Sequence, residues 1–166
     1  MEILIKRAET EPEIRGKAFV AWAAWHQTYP GMIRQSYLNE LTLQKFEKVA
    51  YTSPDPLLVA KDRSRVVGFV SYGHRDGEPP ETGEVFALYV LLKYQGRGIG
   101  RRLLEAALEQ LKDSREICLW TLKENRRAIR FYQKCGFEPD GAEKLNPRLE
   151  AAEIRMTYRR PARVTP

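Results

Sequence analysis

A buried strand, a glycine-rich turn and an amphipathic helix follow one another over residues 84–112. The strand is indicated by an apolar and aromatic run that ends at Tyr89-Val90-Leu91. After Gly98, apolar residues recur at helical spacing from Ile99 to Leu111, with charged residues between them. The first N–H groups of a helix have no partner within the helix and lie at the positive end of its dipole. This succession therefore predicts an anion-binding turn where the helix begins.

The composition of the turn suits a phosphate group. Gly96, Gly98 and Gly100 carry no side chain that would keep an anion away from the backbone. Positive charge around the turn comes from three arginines, Arg97, Arg101 and Arg102. A P-loop is excluded because no GK[ST] sequence follows in the GxxxxGK[ST] register, and the GxGxG spacing fits the GxGxxG dinucleotide motif poorly. Taken alone, the glycines would suit close helix packing equally well.

Two motifs resemble those of the GNAT superfamily of N-acetyltransferases. The segment Gln95-Gly96-Arg97-Gly98-Ile99-Gly100 resembles the Q/R-x-x-G-x-G/A signature with which that superfamily binds the pyrophosphate of acetyl-coenzyme A (acetyl-CoA). Residues 125–137 resemble the N-x-x-A-x-x-F-Y-x-x-x-G-F element that follows its fifth strand. Leu92 stands where many relatives have proline, so the turn after the strand departs from the pattern. The resemblance implies an acetyl-CoA-dependent N-acetyltransferase.

The fold that the resemblance implies is α/β (α+β), with a mixed, mostly antiparallel central sheet flanked by helices. Residue patterns predict strands at 3–5, 57–60, 66–72, 84–91, 116–122, 137–139 and 152–158. They predict helices at 12–28, after a short turn within 32–50, from 98, and at 126–135. The 166-residue length and the lack of a linker predict one acetyltransferase domain, 1–166, whose residues 160–166 form a loose C-terminal tail.

The resemblance also implies a set of residues that bind the acetyl donor. These are Leu88, Tyr89, Val90, Gln95, Gly96, Arg97, Gly98, Ile99, Gly100, Arg101, Asn125 and Tyr132. Within this set, the backbone of residues 88–90 would pair with the pantetheine arm and polarise the acetyl carbonyl. Asn125 suits a helix N-cap, a role that is compatible with contacting the donor.

Two residues are candidates for catalysis, one as a base and one as an acid. A base is needed because an amine with a pKa near 10.4 must lose a proton before it attacks. Glu84 lies as far before Gln95 as the glutamate base of some superfamily members does; the alternative is a solvated carboxylate at the strand end. Tyr132 matches the superfamily tyrosine that acts as general acid for the leaving sulfur; the alternative is core packing. Arg127 or Arg130 is expected to lower the pKa of Tyr132 by favouring phenolate.

The resulting hypothesis is transfer of an acetyl group from acetyl-CoA to a primary amine, by direct attack in a ternary complex. The acceptor would be a small molecule or a peptide, and the chain could form a homodimer, as is common in the superfamily. The alternative is a non-catalytic basic module that binds coenzyme A or nucleic acid, which the net charge of +6 allows. Since both motifs resemble elements that bind the acetyl donor, we expect no nucleic-acid partner; titration with acetyl-CoA and with duplex DNA at two salt concentrations separates the two hypotheses.

The cysteine content and the lack of a targeting signal further narrow the class of protein. Cys118 and Cys135 fit neither a disulfide framework nor a metal set, so we expect no metal and ordinary buried thiols. The N-terminus lacks a signal-peptide pattern, and no apolar run approaches the length that spans a bilayer. These observations predict a soluble, cytoplasmic protein without a membrane partner.

Overall fold

The computed structural model describes residues 1–53 and 55–161, and within them seven strands and five α-helices. The strands are β1 (Ile3–Arg7), β2 (Leu57–Asp62), β3 (Arg65–Gly73), β4 (Thr82–Val90), β5 (Glu116–Leu122), β6 (Glu138–Asn146) and β7 (Ala151–Arg159). The α-helices are α1 (Glu11–Thr28), α2 (Gln35–Glu40), α3 (Leu43–Thr52), α4 (Ile99–Gln110) and α5 (Arg126–Lys134). A short 3₁₀ turn, Leu92–Tyr94, connects β4 towards α4.

The strands form one sheet in the order β1-β2-β3-β4-β5-β7-β6. Neighbouring strands are antiparallel except β4 and β5, which are parallel, so the predicted mostly antiparallel mixed sheet is confirmed. The β4–β5 pairing extends only from Thr82 opposite Glu116 to Glu84 opposite Cys118. Beyond Glu84 the two strands separate, and the edge of β4 that faces β5 is unpaired in the described structure.

Helices cover both faces of the β1–β4 half of the sheet. Helix α1 packs on β3 and β4 from one side together with α3, and α4 packs on β1 to β4 from the other. Burial of apolar side chains between these layers supplies most of the stabilising free energy. The largest fully buried side chains include Phe69, Leu103, Leu104, Ile117, Phe137 and Met156.

Several elements differ in extent from the sequence predictions. Residues 32–50 contain two helices instead of one, because Thr42 is extended and its hydroxyl caps α3 by accepting from the Lys45 N–H at 3.3 Å. Strand β6 runs well beyond the predicted 137–139, since β7 supplies its hydrogen-bonding partner on both sides of an irregularity between Pro139 and Glu143. Strand β4 begins two residues before the predicted position.

The structure bears on the predicted C-terminal tail and on the predicted lack of a membrane-spanning segment. Arg160 is anchored, because its backbone N–H donates to Arg115 O at 3.0 Å and its Nε donates to Ser114 O at 3.1 Å. The rest of the predicted tail from 162 to 166 lies outside the described residues. Within the described ranges, no helix combines the length and apolar character needed to cross a membrane.

Glu13 joins three elements at the start of α1. Its carboxylate is 3% exposed and accepts hydrogen bonds from Glu9 N at 2.9 Å, Thr10 N at 3.2 Å, Lys6 Nζ at 3.0 Å and Lys61 Nζ at 2.8 Å. The Glu9 N–H, followed by the Lys61 ammonium, holds the pKa of Glu13 far below its ordinary value. One carboxylate therefore connects β1, α1 and β2.

We predict that Glu13→Gln lowers the free energy of unfolding by about 2 kcal/mol or more at pH 7, because the amide leaves two lysines without their buried partner. The depressed pKa means that the contribution of Glu13 is complete above the unfolded-state pKa and is lost as the pH falls through the folded-state pKa. Urea titrations at pH 7 and pH 3 should therefore show a smaller difference at pH 3. The exposed Glu11→Gln, which removes only an i,i+4 pair with Arg15, is the control and should change stability by less than about 0.5 kcal/mol; an equal effect of both variants would contradict the prediction.

Candidate active site

The turn between β4 and α4 depends on glycine at two positions. Gly96 and Gly98 have φ values of +72° and +76°, in the left-handed region that side chains disfavour. Gly100 differs, because a Cβ added there would lie 3.5 Å from the ring of Phe131, an ordinary contact. The backbone therefore requires glycine at 96 and 98, whereas alanine fits at 100.

Backbone N–H groups accumulate at the start of α4. The Arg102 N–H donates to Gly98 O at 3.0 Å and makes the first i→i−4 bond of the helix. The N–H groups of residues 96–101 donate to no protein acceptor in the described part of the chain. Together with the helix dipole, these groups have the charge and hydrogen-bonding capacity that an anion requires, next to the gap between β4 and β5.

The three arginines of this segment have different surroundings. Arg97 is exposed, with its guanidinium 5.7 Å from the centre of the Tyr94 ring, and Arg101 pairs with Glu105 at 2.9 Å on the helix surface. Arg102 instead donates to Ile3 O at 2.9 Å. The Arg102 guanidinium thereby ties α4 to β1, and the charge that it adds near the turn stays a prediction.

Gln95 connects the turn to the unpaired edge of β4. Its Nε2 donates to Val90 O at 2.9 Å, while the neighbouring Leu91 N–H donates to Val67 O on the β3 side at 2.9 Å. Because backbone groups alternate between the two edges of a strand, the groups of Leu88 and Val90 face away from β3. The side chain of Tyr89 lies between them in sequence and contacts Phe69 on the α1 face, with ring centres 5.7 Å apart.

A β-bulge in β4 brings Glu84 to the same face as Tyr89. Ser71 is opposite Ala87 and Tyr72 is opposite Val85, so Phe86 is an extra residue in β4. Without it, two residues five positions apart would face opposite sides of the sheet. A Cβ at the preceding Gly83 would meet the side chains of Leu111 and Ser114, beyond the end of α4, which leaves Glu84 on the α1 face.

Glu84 is nearly buried, so the alternative of a solvated strand-end carboxylate is excluded. It is 5% exposed and is the third residue of β4, not the first. Its Oε2 lies 2.5 Å from Arg75 Nε, and it is paired in register with Cys118 on β5. Burial, and then the Glu84 carboxylate, raise the pKa of the Cys118 thiol to about 11.

Helix α5 brings Tyr132 into contact with the core beside β4. The predicted N-cap is confirmed, since Asn125 Oδ1 accepts from the Ala128 N–H at 3.2 Å. The Tyr132 ring lies between those of Phe131 and Phe137, with ring centres 5.2 Å and 6.0 Å away. Its hydroxyl makes no hydrogen bond to another described residue.

The pKa of Tyr132 is raised, mainly by burial and then by Tyr89 and Cys135. The expectation that Arg127 or Arg130 lowers this pKa was therefore wrong: both arginines are exposed, and solvent screens their charge. Tyr132 consequently stays a neutral phenol at physiological pH.

Two residues beside the site were not selected from the sequence. Tyr29, at the end of α1, has its hydroxyl 2.9 Å from that of Tyr89; an aromatic helix stripe is usually core, so the sequence carried no signal that separated it. Arg75 lies in a loop without periodicity, and nothing local indicates that it pairs with Glu84. Burial raises the pKa of Tyr29 well above its ordinary value, so this phenol is also neutral.

The sequence is similar to a known protein family and to named acetyltransferases. The model of the acetyltransferase (GNAT) family matches residues 19–137, well over half of the chain. The uncharacterized N-acetyltransferase YuaI of Bacillus subtilis (strain 168) is 31% identical over 159 residues, covering 93% of this chain and 88% of that protein. The mycothiol acetyltransferase of Rhodococcus jostii (strain RHA1) is 30% identical over 137 residues, which are 78% of this chain and 43% of that protein.

Solved structures share the fold. The PaiA N-acetyltransferase of Thermoplasma acidophilum, determined in complex with coenzyme A, aligns with a TM-score of 0.75 over 96% of this chain and 100% of that chain, at 22% identity. Its sheet and helices therefore correspond to those described above. The family match, the full-length similarity to an N-acetyltransferase and the shared fold lead to one conclusion: the chain belongs to the GNAT family and is an acetyltransferase.

Proposed function

We propose that the protein transfers an acetyl group from acetyl-CoA to the primary amine of a small molecule or peptide, by direct attack in a ternary complex. The observation that carries this proposal is the run of N–H groups from 96 to 101 without a protein acceptor, beside an unpaired stretch of β4. A diphosphate at the helix start and an extended amide-containing arm along the strand would satisfy both sets of polar groups.

The donor-binding residues fall into three groups by position. The first group would hold the diphosphate through backbone N–H, with added charge from the exposed Arg97 and Arg101 side chains; it consists of Gly96, Arg97, Gly98, Ile99, Gly100 and Arg101. Gln95, whose Nε2 donates to Val90 O, would connect this turn to the strand. The strand residues Leu88, Tyr89 and Val90 would border the pantetheine arm. Asn125 and Tyr132 would close the site from α5, where Asn125 sets the start of the helix that carries Tyr132.

The bound thioester supplies an electrophilic carbonyl, and its oxygen gains negative charge as the amine adds. A backbone N–H on the free edge of β4, from Leu88 or Val90, is held in place by the sheet and suits that charge. Glu84 is our proposed general base, which takes the proton of the attacking ammonium. The Glu84 side chain is nearly buried on the α1 face of the sheet, and β4 fixes its position.

Tyr132 is our proposed general acid for the leaving sulfur. The ordinary pKa values of a phenol, near 10, and a thiol, near 8.5, make this proton transfer unfavourable by about 2 kcal/mol, and burial of the phenol adds to that cost. The same burial keeps the hydroxyl protonated, so the group always has a proton to donate as the C–S bond breaks.

A covalent acetyl-cysteine is disfavoured by the state of the two thiols. Burial raises the pKa of Cys118 to about 11 and also raises the pKa of Cys135. A nucleophilic cysteine is a thiolate near neutral pH, which neither residue is. Direct attack by the amine therefore accounts for transfer with the fewest groups.

Gly98→Ala should weaken binding of coenzyme A about tenfold, because an alanine resists the φ of +76° and distorts the N–H groups around it by about 1 kcal/mol or more. Gly100→Ala is the matched control: its methyl would face Phe131, so we expect affinity within about twofold. Isothermal titration with coenzyme A measures both. Equal losses in the two variants would argue against the turn geometry.

Tyr132→Phe should reduce kcat about 100-fold, with little change in affinity for coenzyme A, because only proton donation to the sulfur is lost. Since burial raises the pKa of Tyr132, the wild-type rate should show no fall from its ionisation below about pH 10. Thiol release from acetyl-CoA across pH 6 to 10 measures both. Tyr158→Phe, which alters a tyrosine packed on Phe137 instead, should retain the wild-type rate.

Glu84→Gln should lower kcat/KM about 100-fold at pH 7 for an amine with a pKa near 10, because the base is removed. The deficit should shrink as the pH approaches the pKa of the acceptor, where free amine is already present. Thiol release over this pH range tests the assignment. A deficit that stays constant with pH would indicate that Glu84 supports the structure and does not move the proton.

A further inference from the structure

Arg75, in the loop between β3 and β4, covers Glu84. Its Nε lies 2.5 Å from Glu84 Oε2, and its guanidinium carbon lies 5.0 Å from the centre of the Phe86 ring. The Arg75 side chain is 58% exposed, whereas that of Glu84 is 6% exposed. The guanidinium is therefore the outer member of the pair, and an incoming molecule meets it before it meets the carboxylate.

Both partners keep hydrogen-bonding capacity for a ligand. Among the described residues, the only hydrogen bond of either side chain is the one between Arg75 Nε and Glu84 Oε2. The two terminal nitrogens of Arg75 and the Oε1 atom of Glu84 are thus available. A guanidinium binds a carboxylate through two parallel N–H groups, and a carboxylate accepts hydrogen bonds from an ammonium group.

The charges of the Arg75–Glu84 pair are complementary to those of a zwitterion. The guanidinium suits a carboxylate, and the carboxylate suits an ammonium group. An acceptor with only a positive charge would compete with Arg75 for Glu84 and leave the guanidinium without its partner, next to a nearly buried site. An acceptor that carries both an ammonium and a carboxylate would give each member of the pair a new partner. The net positive charge of the chain also favours a ligand with an anionic group.

We propose that the acceptor is an α-amino acid or a molecule with the same juxtaposed amine and carboxylate, with its amine on Glu84 and its carboxylate on Arg75. This inference rests on the proposed role of Glu84 as the base. The two acceptor groups are attached to one carbon, which suits two protein groups that are themselves in contact.

The transfer step balances within this arrangement. The ammonium gives one proton to Glu84, and the nitrogen lone pair then forms the C–N bond with the thioester carbonyl. The nitrogen, which becomes positively charged on addition, loses its second proton to solvent as the intermediate collapses. The C–S bond breaks, and the sulfur receives the proton of Tyr132, which is restored from Glu84 or from solvent. The product, an N-acetyl amino acid, keeps its carboxylate but has lost its cationic group, so it no longer pairs with Glu84 and is released.

Matched acceptors test the proposal. Thiol release from acetyl-CoA is measured with the standard L-amino acids and with decarboxylated partners such as phenethylamine for phenylalanine and isoamylamine for leucine. For the preferred amino acid, kcat/KM should exceed that of its decarboxylated partner about tenfold or more. In Arg75→Gln this ratio should fall towards one, mainly through a higher KM for the amino acid.

Arg159→Gln is the control for loss of a surface arginine. Arg159 is 76% exposed and pairs with Glu116 at 3.1 Å on neighbouring strands, so its removal deletes a similar ion pair away from Glu84. This variant should keep the wild-type ratio. The coenzyme A affinity and melting temperature of all three proteins show whether each is folded.

A binding measurement separates this inference from the proposed function. With coenzyme A bound, the preferred amino acid should raise the melting temperature of the wild type but not that of Arg75→Gln. Turnover of decarboxylated amines equal to or above that of amino acids, or an unchanged ratio in folded Arg75→Gln, would overturn the inference and leave acetyl transfer to amines intact. Binding of coenzyme A without thiol release for any amine, amino acids included, would contradict both.

Discussion

The separation of β4 from β5 after Glu84 is the constraint on which the rest of the site depends. Where two strands pair fully, their backbone N–H and C=O groups hydrogen-bond to each other and none is left for a ligand. Here three residue pairs hold the strands together, and beyond them one edge of β4 has no neighbouring strand in the described structure. The other edge stays bonded to β3 up to Gly68 and Val90, so the unpaired groups are rigidly placed.

Two further features use the same short segment. The bulge at Phe86 turns Glu84 to the face where α1 ends, and the glycine turn after Val90 directs unpaired N–H groups to the start of α4. The proposed phosphate-binding groups, the free strand edge and the candidate base thus lie within 18 consecutive residues, from 84 to 101. Their relative positions are set by one strand, one bulge and one turn.

The local parts of this arrangement could be predicted from the sequence. Helical and strand periodicity located β4, α4 and α5, and local chemistry identified Asn125 as the N-cap of α5. The parts that depend on distant residues could not be predicted. Arg102 contacts a carbonyl 99 positions away, and the burial that raises the pKa of Tyr132 comes from several elements at once.

The contact of Arg102 with β1 has a consequence for how the chain responds to its donor. This guanidinium joins the beginning of α4, where we propose that the donor diphosphate binds, to β1 at the edge of the sheet. Binding of the donor at the start of α4, as proposed, would lower the free energy of the native state but not that of the unfolded state. Local opening of the N-terminal strand, which breaks this contact, must then become rarer, and saturation with donor should slow amide hydrogen exchange at a border remote from the chemistry.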